Sequence, residues 1–200
     1  MARTGAEGPF ERYALWVQGC SLRCPGCCNP ALFPAVGGEA LAVTEIIAEI
    51  EAADVEGITV LGGEPLEQLP AVAELCAAVA AGGRGVLVFT GHTLAEARAL
   101  PGFDRLWASV DTLVDGRFDA RMPEPDPGIG GRRFLGSRNQ VIHHRSSRYA
   151  DADLWTGQNR GELRIEADGR VSVHGFPEQT RALLRLLQGP QLASTSTKRS

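Results

Sequence analysis

Five cysteines stand in this 200-residue chain, and four of them fall between positions 20 and 28. Three are spaced Cys20-x3-Cys24-x2-Cys27, close enough to share one loop. Thiolates ligate soft metals, and a 4Fe–4S cube has four irons that cysteines can hold. Three thiolates fill three corners and leave the fourth iron free for another ligand. That open corner separates a reactive cluster from a simple electron carrier with four protein ligands. Structural zinc is the alternative. It takes four ligands in a tetrahedron, normally as two separated pairs. No second pair follows here: adjacent Cys27 and Cys28 would make an awkward chelate, and Cys76 and the histidines lie far off in sequence. A disulfide framework would spread its cysteines to staple distant loops. A tight cluster in a chain with no export leader fits a metal site in a reducing compartment. Cys76, alone in a helical apolar pattern, reads as a small buried hydrophobe.

A second constellation is Gly62-Gly63-Glu64-Pro65, which ends the β-branched run 57–61. On its own it is a turn. Its interest lies in where the surrounding elements place it. Residues 13–18 alternate as a strand and run directly into the cysteine loop. Thr44 is a candidate helix cap, with Ile46, Ile47 and Ile50 on one face. The run 57–61 is a buried strand. A helix follows from about Pro70, a residue tolerated in a first turn, to Gly82 and Gly83. Residues 85–89 make a third strand, and Thr93 with Glu96 forms a capping box for the next helix. Residues 107–114 read as a fourth strand. Strands alternating with helices through short connections argue for right-handed parallel βαβ units. The expected fold class is α/β, a partial, open β/α barrel with a C-terminal β-hairpin and short helix. Chemistry in such folds sits at the C-terminal ends of the strands, where both motifs fall.

The rest is less regular. Residues 122–131, rich in Pro and Gly, read as a surface loop. Segments 162–166 and 170–174 flank Asp168-Gly169, a hairpin signal. Residues 178–188 read as a last helix, and the Ser/Thr-rich 189–200 as a disordered tail. The expected organisation is an N-terminal segment 1–12, a single domain 13–188 and that tail. Apolar residues make up 44% of the chain, enough for one real core at this length. A net charge of −4 asks for neither nucleic acid nor an anionic membrane. The alanine-rich stretch 71–81 is interrupted by Glu74 and too short to span a bilayer. These features point to a cytoplasmic protein. His143 and His144, as strand neighbours, would face opposite sides. They and the isolated His92 and His174 read as structural, and Arg23 as a solvated loop residue that favours nearby thiolates.

Cys-x3-Cys-x2-Cys after a first strand, followed by Gly-Gly-Glu-Pro after the next, resembles the two motifs of the radical S-adenosylmethionine (SAM) superfamily. The chain is most similar within it to the activating proteins of anaerobic ribonucleotide reductase. The similarity rests on Gln18-Gly19-Cys20, Cys24-Pro25-Gly26-Cys27, Asn29-Pro30, Thr90-Gly91, Leu113 to Phe118, Gly136-Ser137 with Asn139-Gln140, and Gly175-Phe176-Pro177, in family order. It implies one 4Fe–4S cluster on Cys20, Cys24 and Cys27, with SAM bound to the open iron. It also implies reductive cleavage of SAM to a 5′-deoxyadenosyl radical. Gly62, Gly63, Glu64, Pro65, Thr90 and Asp111 are then the candidate cofactor-binding residues. The glycines would let the backbone approach the methionine part, Glu64 would bind its ammonium, and Pro65 would stiffen the turn. Asp111 and Asp115, near the end of the fourth strand, are candidates for ribose hydroxyls, a cation or a substrate loop. Asn139 and Gln140 either line the site or bond local backbone. No catalytic acid or base is expected beyond the cluster.

The implied partner is a glycyl radical enzyme or another protein or peptide substrate. A flavodoxin or ferredoxin would supply the electron. A stand-alone enzyme modifying a peptide or small molecule, and a non-catalytic Fe–S or zinc interaction module, are the rival readings. The chain departs from the family at Gly26 and Cys28, which flank Cys27 where relatives often carry an aromatic residue. The loop 123–133 and the C-terminal extension also look longer than a minimal activase needs. After Cys28 only Cys76 remains, so a second cluster is not expected.

Overall fold

A computed structural model describes residues 3–165, 169, 171–176, 180 and 183. The helix expected over 178–188, apart from Thr180 and Leu183, and the tail 189–200 lie outside that set. Four parallel strands open the fold: β1 (Arg12–Val17), β2 (Gly57–Gly62), β3 (Gly85–Phe89) and β4 (Thr112–Asp115). A fifth, β5 (Val141–His144), returns antiparallel to β4, so the sheet order follows the chain order from β1 to β5. The helices are α1 (Val43–Ala53), α2 (Leu69–Ala81), α3 (Leu94–Arg98) and α4 (Phe103–Ser109). A separate antiparallel hairpin, β6 (Gly161–Ile165) with β7 (Val171–Gly175), follows as expected.

The alternation of each strand decides its two faces. Ile58, Val60, Val86, Val88 and Leu113 bury one face against Ile46 and Ile50 of α1, Val72, Leu75, Cys76 and Val79 of α2, and Phe103 and Leu106 of α4. Leu87 and Val114 point the other way, to a smaller core with Phe134, Leu135, Tyr149 and Trp155. Helices therefore cover one face, and the later loops and hairpin cover the other. Cys76 is fully buried, as its pattern indicated, and desolvation raises its thiol pKa to about 12.

Two expectations change. Residues 107–114 are not one strand: Trp107 to Ser109 complete α4, and β4 begins at Thr112. Phe103, Leu106 and Val110 recur at helical spacing and are all buried, and this period outweighs the β-branched residues after it. Thr44 is not the cap of α1. The cap position is Ala42, whose N–H donates to Glu45 Oε2 at 2.7 Å. The box at α3 forms as its residues indicate: Thr93 Oγ1 accepts from Glu96 N–H and Glu96 Oε2 from Thr93 N–H.

Because β1 to β4 are parallel, their C-terminal ends share one edge of the sheet. The cysteine loop, the Gly-Gly-Glu-Pro turn, Thr90 and Asp115 all leave from that edge. Among the described residues no helix is long and apolar enough to cross a membrane.

Candidate active site

The cysteine loop is fastened from two sides. The segment after it supplies acceptors: Gly19 N–H donates to Leu32 O and Cys20 N–H to Phe33 O. The short 3-10 turn Pro65–Gln68 supplies side chains. Glu67 Oε1 accepts from Ser21 N–H at 2.6 Å, and Gln68 Nε2 donates to Gln18 O at 2.8 Å. Cys20 is buried, Cys24 and Cys27 are half-buried, and Cys28 is exposed. Burial pushes the Cys24 thiol up, an N–H bond from Phe118 opposes this, and Cys20 and Cys27 push it up further. Cys28 is also raised, first by desolvation and then by Cys27.

Cys24 thus lies within electrostatic reach of both Cys20 and Cys27. Yet among the described residues no three His, Cys, Asp or Glu side chains are gathered as around a single metal ion. Asn29 N–H donates to Cys27 Sγ at 3.4 Å.

Beneath this loop lie the two glycines. Gly63 N–H donates to Val17 O at 2.8 Å and Glu64 N–H to Gly19 O at 2.7 Å, so the β1–β2 pairing runs on into the motif. A Cβ on Gly63 would sit 2.1 Å from Gly19 O, and one on Gly62, whose φ is +111°, would sit 2.6 Å from Val17 N. The space that a side chain would need is already filled by the chain entering the cysteine loop. Pro65 opens the 3-10 turn and is buried.

Glu64 is 1% exposed. Its Oε1 accepts from Leu66 N–H and from the Thr90 hydroxyl, and its Oε2 from Gly91 N–H. Thr90 is therefore brought to the motif, but toward Glu64. Asp115, at the end of β4, is buried; its Oδ2 accepts from Leu94 N–H at 2.5 Å at the start of α3. His143 Nε2 lies 2.9 Å from the same oxygen, out of hydrogen-bond alignment. Asp115 thus ties the end of β4 to the start of α3.

Asp111 does not join this group. Because α4 runs to Ser109, Asp111 precedes β4 and sits at the opposite edge of the sheet. There its carboxylate accepts from Val86 N–H at 2.9 Å and from the Ser146 hydroxyl at 2.5 Å. Reading 107–114 as a single strand moved it to the wrong end. Asn139 and Gln140 bond backbone, some of it distant in sequence: Asn139 Nδ2 donates to Arg117 O, and Gln140 bridges Gly116 O to the N–H groups of Gly136 and Ser137.

Sequence reasoning singled out Arg117 and Phe118 only as part of the family resemblance and did not place the segment 117–121 at the site. It lies against the cysteine loop and, with Leu22, Cys24, Pro25 and Asn139, lines an open cleft of about 560 Å³. A Cβ on Gly26 would come within 3.2 Å of Ala120 Cβ and 3.5 Å of Phe118 Cε1, so a larger residue there would have to displace this wall. The departure at Gly26 and the placement of Phe118 fit together sterically.

The chain matches the 4Fe-4S single cluster domain family over residues 6–143. It is 32% identical over 147 residues to the anaerobic ribonucleoside-triphosphate reductase-activating protein of Escherichia coli (strain K12), covering 69% of this chain and 91% of that protein. It is 33% identical over 146 residues to the Vibrio cholerae protein of the same name, covering 68% and 90%. The chain belongs to this family of activating proteins. It is thus a 4Fe–4S radical SAM enzyme of the activase type. A shorter similarity, 40% over 78 residues, reaches the pyruvate formate-lyase-activating enzyme of Staphylococcus aureus, covering 36% of this chain and 31% of that one.

Proposed function

We propose that this activating-family chain cleaves SAM reductively and generates a glycyl radical on a partner enzyme, an anaerobic ribonucleotide reductase being the foremost candidate. The observation that carries it is that the entry to the three-cysteine loop packs against the Gly62–Gly63 backbone at the shared C-terminal edge of four parallel strands. The sheet is read as an open half of a β/α barrel, with α1, α2 and α4 outside; its strand order and one-sided helices support this.

Cys20, Cys24 and Cys27 would hold the cluster, which supplies one electron to the SAM sulfonium so that a carbon–sulfur bond breaks to methionine and a 5′-deoxyadenosyl radical. The chain's own part is position and shielding. Gly62 and Gly63 keep the second motif in contact with the loop, and their backbone would lie alongside the methionine part. Glu67 and Gln68 hold the loop's entry. The cleft beside Cys24 leaves a path by which a protein substrate reaches the site. A flavodoxin or ferredoxin would deliver the electron.

The test is anaerobic reconstitution with iron and sulfide, followed by SAM and a strong reductant, with 5′-deoxyadenosine as the readout and Cys24→Ala alongside. Adding a candidate glycyl radical enzyme should raise a protein radical signal. A protein that takes zinc and refuses iron, or a loaded cluster that never cleaves SAM with or without partner, would sink the reading.

A further inference from the structure

The family motif invites the view that Glu64 is a SAM ligand, yet its surroundings argue against contact. Oε1 accepts from Leu66 N–H at 2.9 Å and the Thr90 hydroxyl at 2.8 Å, and Oε2 accepts from Gly91 N–H at 2.8 Å. The residue is 1% exposed. A carboxylate with three donors and no solvent face offers a ligand nothing. Its partners belong to two different strand exits. Leu66 lies in the turn after β2, while Thr90 and Gly91 form the turn after β3. Thr90 extends the link, since its hydroxyl oxygen accepts from His92 N–H at 3.1 Å. On the other side, Glu64 N–H donates to Gly19 O, one residue before Cys20.

We propose that Glu64 is a positioning residue: it fixes the Thr90–His92 turn relative to the cysteine loop and so shapes the surface that SAM meets, without touching SAM. The role rests on the radical SAM reading above. Hydrogen bonds to an ionised, buried acceptor are the strong ones, and a lost partner leaves the remaining groups desolvated and unpaired. Glu64→Gln would keep the shape of the side chain but set an NH2 group against one of the N–H or O–H donors. Two donors would then face each other, and the β3 turn would shift.

The experiment uses the full chain, reconstituted with iron and sulfide. SAM affinity is read from the change SAM causes in the EPR spectrum of the reduced cluster, with iron content and thermal melting measured on the same samples. Glu64→Gln and Thr90→Val should each keep their iron and lose SAM affinity by about tenfold, the loss expected for one charge-assisted hydrogen bond. The double variant should lose little more than the worse single variant, because both remove the same link. Thr90→Ser, which keeps the hydroxyl, should bind close to wild type. If Glu64→Gln does not fold, Thr90→Val against Thr90→Ser decides the matter alone. Unchanged SAM affinity in Glu64→Gln or in Thr90→Val, or losses that add in the double variant, would overturn the role. So would a loss of iron in proportion to the loss of SAM binding, which would make Glu64 a support of the cysteine loop only. A wild-type cluster whose spectrum ignores SAM would overturn the radical SAM reading, and this role with it.

Discussion

The two edges of the parallel sheet are built on opposite plans. At the N-terminal edge Arg12 is fully buried and every arm of its guanidinium is used. Nε donates to Thr59 Oγ1. One terminal nitrogen donates to Glu56 Oε2 and the Tyr149 hydroxyl, and the other to Ile58 O at 2.5 Å. The guanidinium also lies 4.8 Å from the centre of the Tyr149 ring. Arg148 adds a second ion pair to Glu56, and Asp111 ties β3 to the exit of β5. At the C-terminal edge the fastening is done mainly by backbone groups and by carboxylates such as Glu64, Glu67 and Asp115. The side chains left over are thiols. The closed edge spends its polar groups on one another and holds the sheet in register. The open edge carries the three cysteines of the motif, with Cys24 and Cys27 half-buried and Cys24 lining the cleft.

The contrast is broken most sharply at the open edge. Cys24→Ala or Cys27→Ala should reduce 5′-deoxyadenosine formation by on the order of a hundredfold or more, since each removes a cluster ligand. The apoprotein's melting temperature should barely move; a large drop would mean the loop also carries the fold. Arg12→Met should do the reverse. Stripping one member from a buried, paired network costs about 3–5 kcal/mol. Thermal or urea unfolding should show that loss while cluster loading per folded molecule stays near wild type.

Gly63→Ala tests where the two plans meet. Its Cβ would fall 2.1 Å from Gly19 O, so we expect about 3 kcal/mol of destabilisation. Iron uptake should fall as well, because the cysteine loop must move. Normal uptake would show that the loop tolerates displacement from the motif.

The last effect, confined to one pH window, belongs to Glu7. Burial, then repulsion from Glu162, raises its carboxyl pKa to about 7, against an opposing N–H bond from Gly175. A raised acid binds its proton more tightly when folded. Its contribution is therefore full below the unfolded value near 4.5 and is lost as pH rises through about 7. Glu7→Gln should remove on the order of 3 kcal/mol of stability change across that window. Equal slopes of melting temperature against pH in wild type and Glu7→Gln would refute the assignment.

Much of this was legible in the chain. The Cys20-x3-Cys24-x2-Cys27 spacing, the glycine pair at 62–63 and the strand–helix alternation up to Arg98 are local patterns, and each element formed close to where its pattern placed it. The hairpin was readable from its turn residues. Asp111 shows where local reading fails. The segment 107–114 carries both a helical period and β-branched residues, and burial of Phe103, Leu106 and Val110 settles the competition in favour of a helix that reaches Ser109. The segment 117–121 carries no periodic signal at all, so its place against the cysteine loop could not be foreseen.

The sequence by itself determined the spacing of the cysteine motif, the family it belongs to and the strand ends from which the motifs leave, because spacing along one loop and the period of one strand are local properties. Only the tertiary structure decided which edge each acid occupies and what it bonds. Glu64 and Asp111 are both acids close to strand ends in a linear reading. In space one links the two turns beside the cysteines, and the other closes the far edge. Their partners across the sheet are 26 or 27 residues away for Glu64 and 25 or 35 for Asp111, and contacts across such distances exist only once the sheet has assembled.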